Sequence, residues 1–296
     1  MSGRAPSKPT TLRHPAEVPF YVAMVVLNVV IVVAIVRVAI VVPFLPDALQ
    51  SSALADSVRG AAVALLLLVP GLIVVRELQR ATVRGTTVQL SERQFPELFG
   101  TAADFARTLG LSRRPDIYLA NGNGALNAFA AQAAGHDLVV VSNELFTNLH
   151  ADNRDGLRFI LGHEMGHIRL HHVALWYELS LAYSQRIPLL GPTMSRLREY
   201  SCDLHGAHLS PHGATGLVLL ASGRHTETDV DVDQLLEQGR ALHGFWVGLA
   251  QLPRSHPFTV RRLERLCRLG RLRRPTSSEP PTLSAAAPPA TSPATP

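Results

Sequence analysis

The feature that most limits how this chain can fold is a pair of histidines four residues apart, His163 and His167, with Glu164 between them. On an α-helix such residues lie one above the other, so both imidazoles can bind one zinc ion. Glu164 then lies where it can take a proton from a water molecule at the metal. Apolar residues recur around the motif at helical spacing. The sequence therefore predicts a zinc hydrolase helix; a buried helix with merely hydrogen-bonded histidines is the alternative.

A catalytic zinc site needs a third protein ligand and leaves the fourth position to water. In one known arrangement a third histidine follows the second by six residues, but that position is Val173, which excludes it. A glutamate on a later helix is the other common solution, and Glu199 is our candidate. Asp203, one turn further on, can accept the outward N–H of a ligating histidine. His205 and His208 are rival ligands, and ordinary surface ion pairs are the alternative for the two acids.

The first of two apolar segments runs from Val18 to Val42, interrupted only by Asn28 and Arg37. It is long enough to cross a bilayer with some tilt. A cleaved signal peptide is the competing interpretation, but the segment is longer than a signal-peptide core and lacks a clear cleavage site. We therefore expect a transmembrane helix over residues 18–42, preceded by an unstructured, basic cytoplasmic segment over residues 1–17.

The second apolar segment covers residues 61–76 and follows a short external loop, residues 43–60. The segment is short for a span, but Arg59 and Arg76 at its ends can extend toward the interface. A transmembrane hairpin with the first segment is our expectation, and a buried core helix is the alternative.

Basic residues flank the two predicted spans unequally. Three lie in the N-terminal segment and three follow the second span, Arg76, Arg80 and Arg84, whereas the loop has Arg59 alone. The positive-inside rule then places both ends of the hairpin, and the domain that follows, in the cytoplasm. The predicted location is the cell (inner) membrane, with a multi-pass anchor.

Residues 77–272 predict an α+β domain that is mainly helical, with a small β element before the motif helix. A helix is predicted over Ser91–Gly110, and strands over Asp116–Ala120, Leu126–Gln132 and Asp137–Ser142. Metallopeptidase folds of the zincin type use such an element to bind an extended substrate backbone as an added strand.

Further helices and a tail follow the motif. Residues 173–190 are moderately apolar but charged, and predict a helix against the membrane or over the cleft, with insertion as the alternative. Helices are predicted over residues 195–209, 231–252 and 257–270; the arginines of the last are either solvated or face anionic lipid. Residues 273–296 predict a disordered Pro/Ala/Ser/Thr tail.

Composition excludes two classes of protein. The two cysteines, Cys202 and Cys267, cannot form a disulfide framework, and a reducing compartment is the simpler interpretation. A net charge of +5 is compatible with nucleic acid binding, but the arginines flank apolar segments and no aromatic platform accompanies them. Contact with a lipid bilayer explains these charges better than contact with nucleic acid.

These motifs together resemble the membrane zinc metallopeptidase family that includes the HtpX heat-shock proteases and the CAAX prenyl endopeptidases. The resemblance covers roughly residues 90–270. Its matching pieces, in chain order, are Asn127–Ala130, Asp137–Ser142, His163–His167, Ser195–Arg196 with Glu199 and Asp203, and Ser255–Pro257 with Arg261.

The resemblance implies roles for individual residues. It implies that His163, His167 and Glu199 bind zinc, one ion per chain, and that Glu164 is the general base. The strand residues that would border the substrate cleft are Asn127, Ala128, Phe129 and Ala130. His256 would lie in a loop over the active site. Cys202 departs from the family's usual alanine, and the third and fourth spans of the HtpX type are weak or absent, which leaves the membrane protein substrates open.

The function predicted from these residues is peptide-bond hydrolysis by a zinc-activated water in a membrane-anchored metalloendopeptidase, in membrane protein quality control. Unfolded or membrane polypeptides would be the substrates. His256, His205 and Arg198 are candidates for the second donor to the oxyanion. A specific processing peptidase and a regulatory membrane metallopeptidase are alternatives. A non-enzymatic zinc scaffold is a further one, although a scaffold would be expected to lose Glu164.

Overall fold

The computed structural model of the protein describes residues 12–41, 53–146 and 154–272. The fold is mainly helical with one small sheet, as predicted. The predicted tail, most of the predicted N-terminal segment and the start of the predicted 43–60 loop lie outside the described residues.

Two long apolar helices come first, α1 at Glu17–Val41 and α2 at Ala53–Thr86. Both are long and apolar enough to cross a membrane, judged by length and composition. Most of their large apolar side chains are exposed, which is expected of surfaces that face lipid. α2 extends beyond the predicted 61–76 at both ends because its flanking residues are good helix formers, and Pro70 lies inside the helix.

One face of α1 packs on the rest of the protein. Tyr21 stacks on Tyr177 with ring centres 4.6 Å apart, and its hydroxyl lies 2.9 Å from Ser180 Oγ. Further along the same face, Asn28 is buried and its side-chain oxygen accepts a hydrogen bond of 2.8 Å from the backbone N–H of Tyr183. Asn28, one of the two polar interruptions of this apolar segment, therefore lies where the domain covers the helix.

Residues 12–16, directly before α1, contact the domain, which corrects the expectation that they are unstructured. The backbone N–H of His14 donates to Ser201 Oγ at 2.8 Å, and its ring stacks on Tyr200. Arg13 pairs with Glu17 at the first turn of α1. These contacts order the segment because they bring its polar groups against the protein rather than into water.

α2 is also bonded to the domain. The guanidinium of Arg76 donates to the backbone oxygens of Gln132 and Val173 and pairs with Glu178. Arg76 was expected to extend toward a membrane interface; instead it connects α2 to the sheet and to the segment after the motif helix.

A four-stranded sheet follows α2, with the strand order β1-β2-β4-β3. Its strands are β1 at Val88–Gln89, β2 at Asp116–Ala120, β3 at Ala128–Ala133 and β4 at His136–Ser142, and α3 at Pro96–Leu109 lies between β1 and β2. β2 and β4 are parallel, whereas β3 and β4 form an antiparallel hairpin. Ala134 and Gly135 make the turn of this hairpin, with φ of 46° and 75°, between the strands predicted over Leu126–Gln132 and Asp137–Ser142.

The remaining helices differ in two places from those predicted. Residues 173–190 form only a short helix and a 3-10 turn, and these pack against α1. The predicted helix over 231–252 is interrupted at Gly244, whose φ of 104° favours glycine. The helices are α4 at Arg154–Arg169, α5 at Leu175–Ser180, α6 at Leu190–Leu209, α7 at Ala214–Ser222, α8 at Val232–Ala241, α9 at Phe245–Gln251 and α10 at Thr259–Arg268.

α4 and α6 form the central pair of the core. Glycines on both helices allow the close approach: a Cβ on Gly206 would lie 2.8 Å from the backbone oxygen of Phe159, and one on Gly166 would lie 3.0 Å from His205 Cβ. The spacing between the helices is thus set by residues without side chains. This packing brings the motif face of α4 against the middle of α6.

Candidate metal centre

Three buried or half-buried side chains meet where α4 faces α6. The Nε2 atoms of His163 and His167 lie 3.3 Å and 3.4 Å from the two carboxylate oxygens of Glu199. One donor atom from each residue lies within 4.8 Å of the other two. Two imidazoles and one carboxylate are a donor set that zinc accepts in hydrolytic sites, so the residues present fit this metal.

A cleft of about 700 Å³ opens over these three residues. Glu164 lines the cleft together with His163 and His167, and 8% of its surface is exposed. Residues 126–130 and residues 256–260 also line the cleft. The motif acid therefore faces the same space as the three candidate ligands.

The strand beside the cleft, β3, is an edge strand. Ser142 N donates to Asn127 O at 2.8 Å, so the backbone groups of Asn127, Phe129 and Ala131 face β4. By the alternation of an antiparallel ladder, those of Ala128 and Ala130 point to the free edge. The structure thus brings Asn127–Ala130 to the cleft and leaves backbone donors and acceptors unpaired by the sheet there.

The outward nitrogen of His163 contacts a buried carboxylate. Asp203, 1% exposed, has Oδ1 3.0 Å from His163 Nδ1, and the N–H donates to it. Burial alone lowers the pKa of His163, but hydrogen bonds to Asp203 and Glu199 outweigh it and raise the pKa to about 10. Burial raises the pKa of Glu199, and its two histidine partners more than reverse this, leaving the carboxylate ionised.

Arg262, on α10, completes this group. Its Nη2 lies 2.6 Å from Asp203 Oδ1 and 3.9 Å from Glu199 Oε2, and its side chain is buried. Arg261, matched with the His256 segment in the sequence, instead donates to the backbone oxygen of Leu242. The arginine of the site is therefore Arg262, one position later. The available signal was helical spacing, since position 262 lies on the same face as the buried Leu266.

His167 has a partner of its own on its outward side. Nδ1 of His172 lies 3.3 Å from Nδ1 of His167, and Nε2 of His172 lies 3.0 Å from Glu17 Oε1. Burial, together with the nearby His167, lowers the pKa of His172 well below its usual value, so the ring is neutral. Sequence analysis identified neither His172 nor Glu17.

The other sequence candidates are placed differently. His256 lines the cleft, with Nε2 3.7 Å from Glu199 Oε1, and is two-thirds exposed. His205 is fully buried, and its Nδ1–H donates to the backbone oxygen of Ser201. The guanidinium carbon of Arg198 lies 6.0 Å from the ring centre of Tyr177. Neither His205 nor Arg198 is among the described residues that line the cleft, which leaves His256 as the candidate oxyanion donor. Among the rest, His208 is exposed.

Cys202 lies behind the candidate ligands rather than in the cleft. The thiol is fully buried, 3.6 Å from His172 Nδ1. Burial raises the pKa of Cys202 well above its usual value, and nearby carboxylates add to the effect, so the thiol stays protonated. A protonated thiol in this position packs as a small apolar group.

Comparison with known proteins agrees with the motifs. Residues 92–186 match the family model of peptidase family M48. Over 79 residues the chain is 35% identical to the protease HtpX homolog of Halobacterium salinarum, an alignment that covers 27% of this chain and 26% of the relative. The chain therefore matches about a quarter of that relative's length. No solved structure matches.

The family match contains part of the site. It includes α4 with its two histidines and Glu164, whereas Glu199 and Asp203 lie beyond its last residue. The placement of those two acids rests on the packing of α6 against α4. The resemblance to the HtpX type is confirmed, and the segment of this chain that carries His163, Glu164 and His167 matches the model of peptidase family M48.

Proposed function

We propose that this protein is a membrane-anchored zinc metalloendopeptidase. The observation that carries the proposal is that His163, His167 and Glu199 converge at the base of a cleft that also contains Glu164. A structural zinc site would be closed by four protein ligands, whereas three ligands facing a cleft leave a position open. The family match supports peptidase chemistry for the segment that holds the motif.

His163, His167 and Glu199 would hold the zinc ion, one per chain. When bound, zinc supplies a Lewis acid that polarises a peptide carbonyl and lowers the pKa of a water molecule. Asp203 keeps the Nδ1 proton on His163, so Nε2, which faces Glu199, is the nitrogen that would bind the metal after losing its proton. Arg262 holds Asp203 through its Nε and Nη2 groups.

Glu164 is the general base in this proposal. Its carboxylate takes the proton from the attacking water and then delivers it to the leaving amine. No serine or cysteine nucleophile is needed, and the buried, protonated thiol of Cys202 takes no part. His256, the exposed candidate over Glu199, donates to the oxygen that develops negative charge.

The substrate binds in extended form along the free edge of β3. Ala128 and Ala130 offer backbone groups to it, and backbone pairing places few demands on substrate side chains. This mode suits unfolded or membrane polypeptides and hence membrane protein quality control. A processing peptidase with one defined substrate would use the same chemistry, and a narrow cleavage pattern would distinguish it.

The proposed anchor is the hairpin of α1 and α2 in the cell membrane, with residues 1–17 and the domain 77–272 on the cytoplasmic side. The two apolar helices support a membrane protein, and the basic residues after the second span support the orientation. The bilayer is then the only partner proposed besides the substrate.

The test is zinc content and cleavage of an unfolded fluorescent reporter by the detergent-purified full chain. Glu164→Gln is expected to keep about one zinc ion and lose activity about 10²- to 10⁴-fold, since general base catalysis contributes that much. Glu97→Gln, a matched change at an exposed acid that pairs with Arg154, should leave both properties unchanged. Zinc binding without cleavage by the parent on any unfolded reporter would favour the scaffold alternative, and absence of zinc binding would reject the proposal.

A further inference from the structure

Behind His167, two contacts link His167, His172 and Glu17 in a chain that the catalytic proposal does not use. His167 Nδ1 lies 3.3 Å from His172 Nδ1, and His172 Nε2 lies 3.0 Å from Glu17 Oε1. His172 is 2% exposed and Glu17 is fully buried. Chains of this kind orient a histidine that binds a metal by hydrogen bonding to its other ring nitrogen.

The direction of the hydrogen bonds follows from what each group can do. The carboxylate of Glu17 only accepts, so the proton of the neutral His172 ring is on Nε2. Nδ1 of His172 then carries a lone pair, and the N–H on Nδ1 of His167 donates to it. Nε2 is then the nitrogen of His167 left for a metal ion, and it is the one that faces Glu199 and the cleft.

Glu17 is held in place by more than His172. It also accepts from Arg13 and from the hydroxyl of Ser201, a residue of α6. It is the first residue of α1, and the helix beyond it is fixed to the domain by the contacts of Tyr21 and Asn28. The position of the carboxylate is therefore set by the apolar helix that carries it.

We propose that Glu17 and His172 are positioning residues of the metal centre: the first apolar helix supplies, through His172, the outer hydrogen bond that orients His167. His163 and His167 are then oriented by different parts of the chain, the first by Asp203 of α6 and the second by α1. The inference rests on the proposed zinc site. It makes the apolar helix part of the metal centre as well as an anchor.

A second metal site is the rival explanation of the same residues. His167, His172 and Cys202 each have a donor atom within 4.8 Å of the others. However, Glu17 already occupies Nε2 of His172, and Nε2 of His167 faces the other ligand group. A second ion would need His167 to lose its Nδ1 proton and the buried Cys202 thiol to be deprotonated, which favours the hydrogen-bonded chain.

The test compares zinc affinity among full-length variants, by competition with a chromophoric chelator. His172→Phe removes the acceptor for His167 and is expected to weaken zinc binding about 10- to 100-fold. His172→Asn places an amide oxygen near the former Nδ1 position and should recover most of that loss. His212→Gln, at an exposed histidine, is the matched control and should bind as the parent does.

Glu17→Gln keeps an acceptor without the charge and should weaken zinc binding in the same direction by less than His172→Phe. The variant that combines Glu17→Gln with His172→Phe should bind zinc no more weakly than His172→Phe alone, because Glu17 acts through His172. The visible spectrum of the Co²⁺-substituted protein should change in His172→Phe and return toward that of the parent in His172→Asn.

Melting in excess chelator separates positioning from folding. A merely structural role lowers the melting temperature of the metal-free variants and leaves zinc affinity unchanged, and that result overturns the inference. If His172→Phe does not fold, Glu17→Gln decides in the same way. Two zinc ions in the parent and one in His172→Phe would establish the second metal site instead. If the parent binds no zinc, the proposed function fails before this inference is reached.

Discussion

Removing the guanidinium of Arg262 would leave the carboxylate of Asp203 buried without its charged partner. The two side chains are 7% and 1% exposed, and three N–O distances join them, of 2.6, 3.0 and 3.2 Å. Breaking such a buried pair costs about 3–5 kcal/mol because the remaining charge is uncompensated. Arg262→Met keeps an apolar stem of similar length, so little of the cost comes from a cavity. Since His163 still donates to Asp203, we expect Arg262→Met to lower the unfolding free energy by about 3 kcal/mol, the lower end of that range.

A double variant isolates the charge effect from the loss of contacts. Asp203→Asn with Arg262→Met removes both charges and keeps an amide oxygen as acceptor for the N–H of His163. We expect the double variant to be more stable than either single variant, since replacement of a whole buried pair is often nearly neutral. Asp203→Asn alone should also destabilise, because it leaves the Arg262 cation buried.

The assay is thermal unfolding of the full chain in detergent with excess chelator, so that differences in metal binding do not enter. For a domain of this size a loss of about 3 kcal/mol corresponds to a fall in melting temperature of about 6–12 °C. The control is Arg261→Met, at the neighbouring arginine that donates to a backbone oxygen instead. A fall in melting temperature of less than about 2 °C for Arg262→Met would refute the reasoning. A double variant that is less stable than both single variants would refute it as well.

Three further outcomes are expected from the same structure. Two buried carboxylates raise the pKa of His163 to about 10, so below that pH zinc must displace a proton from His163. Zinc affinity, measured by chelator competition, should therefore fall about tenfold per pH unit as the pH is lowered from 8.5 to 6.5. Gly206→Ala should lower the unfolding free energy by about 1–3 kcal/mol in a denaturation assay, because a Cβ there would lie 2.8 Å from the backbone oxygen of Phe159. Gly100→Ala, where a Cβ would meet nothing within 4 Å, is the control and should be neutral or stabilising in the same assay. Ala130→Pro removes an outward N–H of β3. It should raise KM for a peptide about fivefold, which corresponds to the loss of one hydrogen bond of about 1 kcal/mol, and leave kcat nearly unchanged. A fall in kcat as large as the rise in KM would contradict strand addition.

Local patterns predicted much of this protein correctly, because helical and strand periodicity depend on few neighbours. The strand Asp116–Ala120 has the bounds predicted for it, and the motif helix ends at Arg169, close to His167. Features of this kind are set within one or two turns of chain. The sequence also shows Glu199 and Asp203 one helical turn apart, but their proximity to the motif depends on the packing of α6 against α4.

Features that depend on packing between distant segments could not be predicted in the same way. Positions 261 and 262 differ by about 100° around a helix, so helical spacing indicates which arginine faces inward. Only the contact of α10 with α6 shows that this arginine meets Asp203. The single helix predicted over 231–252 fails at Gly244, where the backbone adopts a positive φ that hydrophobic periodicity does not encode. His205 looked like a ligand by spacing, yet the close approach of α4 and α6 buries it against Gly166.

Glu17 shows why this limit bears on function. In the sequence it is an acid at the edge of a long apolar segment, and the positive charges around it predict only a membrane boundary. In the structure the same residue is fully buried and contacts His172, 155 residues away in the chain. A buried carboxylate is tolerated only where several donors meet it, and Arg13, Ser201 and His172 all do. Because those donors connect α1 to α6 and to the residue beside His167, a displacement of the apolar helix would change the orientation of a proposed zinc ligand.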